Sequence, residues 1–161
     1  MKPELRLAVP SDQSFLREML YLALFVRPGE PPFSRAVLDD HAIAHYIDDW
    51  GTWAGDIGWI ALLHRAPLGA AWLRRFPATD PGYGFVDAGT PELCVSVLPD
   101  HRGKGIGSML LDRLLADVPA ASLSCDPANP AWQLYLRFGF KPLPDGGKML
   151  RTTPPLTIDP H

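Results

Sequence analysis

The sequence predicts a single domain of mixed α/β class, one sheet with helices on both of its faces. Three observations point there. The chain has 161 residues, within the roughly 100–200 of one domain, and shows neither an internal repeat nor a linker. Segments of strand and helix period alternate in the order β-α-α-β-β-β-α-β-α-β-β. A composition of 47% apolar and 20% charged residues excludes wholesale disorder and supplies a packed core.

Leu5-Arg6-Leu7-Ala8-Val9 alternates with period two and stops at Pro10, which marks a first strand. Ser11 is the expected cap of the following helix, with Asp12 favourable in its first turn; Phe15, Leu16, Met19, Leu20 and Ala23 recur at helical spacing. The Pro-rich stretch 27–32 ends that helix. Ser34 is expected to cap a second helix, with Val37, Leu38, His41, Ile43, Ala44 and Ile47 on its apolar side and Gly51 at its end. Trp59–Leu63 and Leu68–Leu73 read as two strands around Arg65-Ala66-Pro67. Arg74 to Thr90, rich in Gly, Pro, Asp and aromatics, is an irregular connection.

Glu92 to Val97 is a largely apolar strand that stops before Pro99. After a glycine-rich turn, Ile106, Met109, Leu110, Leu114 and Val118 share one helix face, and Pro119 stops the helix. Ala121 to Ser124 is a short strand. Asn129 is the expected cap of a last helix, with Pro130 at its first position and Gly139 just past its end. Phe140 and Leu143 begin a strand, Asp145-Gly146-Gly147 turns, and Lys148 to Thr152 returns. Residues 1–152 then form the domain and residues 153–161 a loosely ordered Pro-rich tail.

Charge and cysteine content narrow the function. The net charge of -3 disfavours bulk binding to nucleic acid or an anionic membrane. Cys94 and Cys125 lie in apolar runs and read as inert buried thiols. The first residues carry charges at Glu4 and Arg6 and no apolar run of leader type, and no stretch approaches the ~18 apolar residues of a membrane span. A cytoplasmic protein is the expectation.

The sharpest feature is His101-Arg102-Gly103-Lys104-Gly105-Ile106-Gly107-Ser108, between a strand and a helix N-terminus. Three glycines leave backbone N–H groups free to close on an anion, the helix dipole adds positive potential, and Arg102 and Lys104 add full charge. A pyrophosphate suits such a turn. The spacing is not a Walker A loop, because Gly105 follows Lys104, and not a dinucleotide fingerprint, because Ser108 stands where the third glycine belongs.

The segment Val97 to Gly107 resembles the coenzyme A pyrophosphate loop of the GCN5-related N-acetyltransferases (GNAT), whose Arg/Gln-x-x-Gly-x-Gly/Ala pattern Arg102, Gly105 and Gly107 match. Asn129 to Phe140 resembles a second segment of the family, Asn-x-x-Ala-x-x-Leu-Tyr-x-x-x-Gly-Phe. The resemblance implies a GNAT-like sheet whose central parallel strands splay apart around acetyl-CoA. It implies backbone contacts from Val95 and Val97 to the pantetheine arm, a pyrophosphate cradle of Arg102, Gly103, Lys104, Gly105, Ile106, Gly107 and Ser108, and an Asn129 that contacts the coenzyme arm or holds the loop, alongside or in place of its capping role. Tyr135 takes the family position of the acid that protonates the leaving thiolate. Glu92, at the start of the central strand, is the candidate base, with Asp87 a weaker one.

The expected activity is direct, acetyl-CoA-dependent acetyl transfer to a primary amine of a small molecule or peptide. The alternative is a non-catalytic CoA-binding sensor or interaction module on the same fold. The acceptor site is expected from the first two helices, the 74–90 connection and the last hairpin, with Trp50 and Trp53 as candidate wall residues. A homodimer is compatible with the family. His41 and His45 stand four apart on one predicted helix face, a spacing metal ligands use, but no third ligand stands out in the sequence and no metal site is expected.

Overall fold

The computed structural model describes residues 2–153. One seven-stranded sheet runs in the order β1-β2-β3-β4-β5-β7-β6. Its strands are β1 (Glu4–Leu7), β2 (Ile57–Leu63), β3 (Ala66–Arg74), β4 (Glu92–Val97), β5 (Ala120–Ser124), β6 (Lys141–Pro142) and β7 (Lys148–Thr152). The helices are α1 (Gln13–Ala23), α2 (His41–Ala44), α3 (Ile106–Leu115) and α4 (Ala131–Arg137). Every pairing is antiparallel except β4 with β5, which is parallel. The element order is the one the sequence predicts.

Side chains alternate across the sheet and fill two cores. On one face Leu68, Ala71, Leu73 and Leu93 pack under Ile106, Leu110, Leu111, Leu114 and Leu115 of α3, with Leu123, Tyr135 and Phe140 continuing the layer. On the other face Ile60, Ala70 and Trp72 pack under Leu16, Met19 and Leu20 of α1, together with Leu38, Ile43, Ile47, Trp50 and Phe76. Residues of β4 divide between these faces, Leu93 and Val95 facing α3 and Cys94 facing α1.

Local chemistry shifts several predicted boundaries. Ser11 does not cap α1; it lies in the 3-10 turn Pro10–Asp12. Asp12 is the residue before α1, but its carboxylate braces the turn and not the helix, accepting from the Val9 N–H at 2.7 Å and from the Arg6 guanidinium through two 2.8 Å hydrogen bonds. The second predicted helix is broken. Ser34 does accept from the Ala36 N–H, but only the 3-10 turn Arg35–Asp39 follows it. Asp40 then turns extended at ψ 126 and caps the short α2 by accepting from the Ala42 N–H. A carboxylate that bonds the backbone two residues on competes with helix continuation. The β2–β3 turn falls one residue earlier than predicted, on His64 and Arg65, both left-handed at φ 51 and 67. Pro67 is thereby carried into β3, beside the register shift at Ala61/Leu62. Asn129 accepts from the Ala131 N–H at 3.0 Å, so Pro130, not Asn129, is the residue immediately before α4. Most of the predicted tail lies outside the described residues; Thr153 still donates to the Pro119 carbonyl.

Arg74 is the largest buried charge. It is fully buried and forks onto Asp56 with hydrogen bonds of 2.9 and 2.8 Å. It also donates to the carbonyls of His45 and Asp48 at 3.0 and 2.6 Å. The guanidinium sits 4.0 Å from the Trp53 ring centre and 5.4 Å from that of Trp50. Both tryptophans pack against this buried cation, and neither lines the cleft or the side pocket described below.

Candidate active site

The parallel pair β4 and β5 meets at one register position, Glu92 opposite Ser122. Beyond it the strands diverge. On its other side β4 stays paired with β3 along its whole length. The Leu98 N–H donates to Leu68 of the β3 side, so Ser96 and Cys94 also point their backbone groups toward β3. The alternate residues Val95 and Val97 point theirs into the gap. The gap is a cleft of about 970 Å³, walled by Tyr21–Val26 and Phe33 on one side and by Asn129, Leu134 and Tyr135 on the other.

One end of the cleft is the glycine turn. Gly105 precedes α3 with φ +82, and Gly103 has φ +76. A Cβ at either position would meet nothing within 4 Å, so the backbone conformation and not crowding is what calls for glycine. The first α3 bond is Met109 N–H to the Gly105 carbonyl, and among the described residues the N–H groups of residues 103–108 have no acceptor. They form a cradle at the positive end of a ten-residue helix. Arg102 hooks back, its Nε donating to the Val97 carbonyl at 2.9 Å. That bond fixes the turn on the strand and occupies one of the two valine carbonyls facing the gap.

Tyr135 lines the cleft from α4 and is 9% exposed, its ring edge-on to Phe140 at 5.9 Å. Burial raises the phenol above its ordinary pKa of 10.0, with the nearby Cys125 and Cys94 adding to the effect. It stays protonated at neutral pH. Asn129 also lines the cleft while its Oδ1 holds the Ala131 N–H, which leaves its amide N–H groups for a ligand. Cys125 is pushed up to about 11 by burial, and Cys94 is raised by the same cause and by the nearby Glu92 charge. Neither is a thiolate at neutral pH.

Glu92 is placed apart from the other predicted site residues. It is 2% exposed and lines neither the cleft nor the side pocket described below. Its Oε2 accepts from the Tyr46 hydroxyl at 2.6 Å, and that hydroxyl accepts from the Tyr83 N–H at 2.8 Å. Among the described residues its Oε1 has no well-aligned hydrogen-bond partner. Burial raises its pKa above 4.5, against the opposing pull of Tyr46 and the Lys148 charge. Gly82 lies so close that a Cβ there would stand 2.6 Å from the Tyr46 hydroxyl, so only glycine lets the connection lie down on the carboxylate. Asp87 closes a local turn onto Gly89 and Thr90.

A side pocket of about 280 Å³ adjoins the cleft, sharing Leu24, Phe25 and Phe33 with it. Val37, Asp40, Ile43 and Tyr83 complete its wall, so the stretch after α1, α2 with the turn before it, and the 74–90 connection contribute to it and the last hairpin does not. The sequence reading missed Tyr46, Phe33 and Tyr83 as site residues. They carry no contiguous pattern and meet only through folding. The cleft-lining Ser96 was also missed; its buried hydroxyl has no partner among the described residues.

Comparison with known proteins agrees with this geometry. The sequence model of the Acetyltransferase (GNAT) family matches residues 19–140. No curated protein gives a significant match. Among solved structures, a GNAT family acetyltransferase from Brucella melitensis in complex with acetyl-CoA superposes with a TM-score of 0.61 at 22% identity, covering 95% of this chain and 89% of that one. A GNAT superfamily phosphinothricin acetyltransferase from Sinorhizobium meliloti, also with acetyl-CoA, gives 0.62 at 22% identity over 99% and 97% of the two chains. An acetyltransferase from Thermus thermophilus gives 0.64 at 18% identity over 95% and 98%. Among the described residues no helix is long and apolar enough to cross a membrane. With a family match across most of its length and the family's splayed-strand sheet, the chain belongs to the GNAT acetyltransferase family.

Proposed function

We propose that the chain moves an acetyl group from acetyl-CoA directly to a primary amine on a small molecule or peptide. The observation that carries this reading is the single-pair contact of β4 with β5, which opens the Val95 and Val97 backbone to a cleft ending on a cradle of free N–H groups. The pyrophosphate takes the N–H groups of residues 103–108, with Lys104 and the remaining guanidinium N–H groups of Arg102 supplying charge. The pantetheine arm lies along Val95 and Val97 in place of the missing strand, and Asn129 offers its amide to the arm.

In the reaction the amine nitrogen attacks the thioester carbonyl carbon, the C–S bond breaks, and the Tyr135 hydroxyl protonates the departing thiolate. A β4 N–H facing the gap stabilises the developing oxyanion. The amine enters from the side pocket, whose apolar wall with one carboxylate, Asp40, suits an amine carried on an apolar body. Its proton passes toward Glu92 through the Tyr46 hydroxyl and solvent, since Glu92 does not reach the pocket itself.

Titration calorimetry with acetyl-CoA, CoA and NAD tests the cofactor, and an amine screen for thiol release tests the reaction. Saturable binding of acetyl-CoA with amine-dependent thiol release is expected. Binding without release from any amine supports the CoA-binding module instead, and no binding overturns the reading.

A further inference from the structure

We propose that His41, His45 and Asp80 form a binding site for one divalent transition-metal ion of the zinc class, outside the acetyl-transfer cleft. His41 opens α2 and His45 follows one turn later, so both imidazoles lie on one side of the turn. Asp80 arrives from the irregular connection between β3 and β4. Its Oδ2 lies 2.8 Å from His41 Nε2 and its Oδ1 3.2 Å from His45 Nδ1. One ligand atom from each residue falls within 4.8 Å of the other two.

His45 separates this cluster from an ordinary surface ion pair. It is 2% exposed, wedged against Phe76 and Tyr46 with ring centres at 4.6 and 5.1 Å. Among the described residues neither of its ring nitrogens has a well-aligned hydrogen-bond partner; Asp80 approaches Nδ1 at 3.2 Å as an ion-pair contact. A buried imidazole nitrogen aimed at a carboxylate, without a bond of its own, is a donor set awaiting a third party. Two imidazoles and one carboxylate suit zinc, which binds such ligands at about 2.0–2.2 Å with tetrahedral geometry; calcium and magnesium prefer all-oxygen sets. Ligand atoms around such an ion stand roughly 3.3–3.5 Å apart, so the two Asp80 contacts, at 2.8 and 3.2 Å, would open slightly to admit it. His41 is 70% exposed at its side chain and Asp80 36%, which leaves a path of entry and a fourth position for water.

The ion would act as a clip. Asp80 is two residues before Gly82, which covers Glu92, and three before Tyr83, which walls the side pocket. His45 is next to Tyr46, whose hydroxyl holds both Glu92 and the Tyr83 N–H. Coordination would therefore fasten the 75–90 connection to α2 at the acceptor side.

The test uses chelator-treated full-length protein. Calorimetric titration with zinc chloride should give one ion per chain with saturable affinity in the micromolar range or tighter, and cobalt chloride should give the visible d–d bands of a four-coordinate ion. Asp80→Asn and His41→Ala, both at the surface and each checked by circular dichroism for a retained fold, should each weaken zinc binding by at least about tenfold. Zinc should also raise the melting temperature of the wild type and not of the variants. Three results would overturn the proposal: no saturation below millimolar zinc, equal zinc affinity in wild type and both variants, or a near-ultraviolet cobalt–thiolate band placing the ion on a cysteine.

Discussion

The two ends of β4 are made differently although they belong to one short strand. At the Glu92 end the strand is paired on both sides, with Arg74 opposite on β3 and Ser122 opposite on β5. Glycine backbone seals it from above, and its carboxylate is held by a buried tyrosine. At the Val95–Val97 end the strand is paired on one side only, and its free backbone edge faces a cleft. An unpaired edge is a hydrogen-bonding template for an extended chain. The closed end is the anchor: it fixes the register of β4 against both neighbours, and β4 and β5 part from there to leave the open edge.

The greatest loss should follow where the anchor is cut. Arg74→Met removes both guanidinium bonds from Asp56, whose side chain is 2% exposed and keeps only the Gly51 and Trp53 N–H groups, and leaves the His45 and Asp48 carbonyls unfilled. Breaking a buried pair in this way costs about 3–5 kcal/mol. A fall in melting temperature of roughly 10 °C should follow, measured by calorimetry. A loss below about 1 kcal/mol would show that the closed end is not the anchor of the sheet.

At the open end, Gly105→Glu sets a carboxylate in the proposed pyrophosphate cradle and forces a non-glycine residue to φ +82. The left-handed backbone costs about 1–2 kcal/mol, and like-charge repulsion adds to it. Acetyl-CoA affinity should drop about a thousandfold by calorimetry, a loss of about 4 kcal/mol in binding. Because the added Cβ meets no atom within 4 Å, the fold should survive, so unaltered binding would remove this turn from the cofactor site. Tyr135→Phe probes the same side. It keeps the ring that packs on Phe140 and deletes only the hydroxyl. The rate of thiol release should fall about a hundredfold with acetyl-CoA affinity unchanged, the scale of a lost general acid. An unchanged rate would leave Tyr135 as a packing residue.

The two ends also differ in how far the sequence discloses them. The cradle is one contiguous segment: the glycines, the flanking Arg102 and Lys104, and the helix start at Ile106 all act through neighbouring backbone. Asn129 and Gly139 bracket α4 in the same local way, with Gly139 left-handed at φ 90. Local chemistry of this kind is readable before folding. The acceptor side is assembled from distant pieces. Tyr46 finds Glu92 and Tyr83, Asp80 finds His41 and His45, and Phe33 closes on Leu24. None of these meetings has a spacing rule. The predicted helix from Ser34 to Gly51 fails for a related reason: the apolar period is present, but Asp40 breaks it through its own side chain and Asp49 is left-handed at φ 52. Those residues sit where the chain must bend to bring Tyr46 over β4.

The smallest change in stability, and the one that decides the role of the closed end, belongs to Glu92→Gln. The amide keeps an acceptor for the Tyr46 hydroxyl, so stability at neutral pH should change by no more than about 1 kcal/mol. Its pH dependence should change more clearly. Burial raises the folded carboxyl above 4.5. Between that value and the raised one, the folded chain holds a proton that the unfolded chain has lost, so stability falls as pH rises through the window. Gln has no proton to lose, and the variant should lack that fall when denaturant midpoints are compared across acidic to neutral pH. The same variant tests catalysis. If the amine proton passes through Tyr46 to Glu92, the acidic limb of the kcat/KM profile should vanish and the rate fall about a hundredfold. If the stability slope disappears while the acidic limb stays, Glu92 belongs to the anchor alone, and the base must be sought on the open side, where Asp40 lines the pocket.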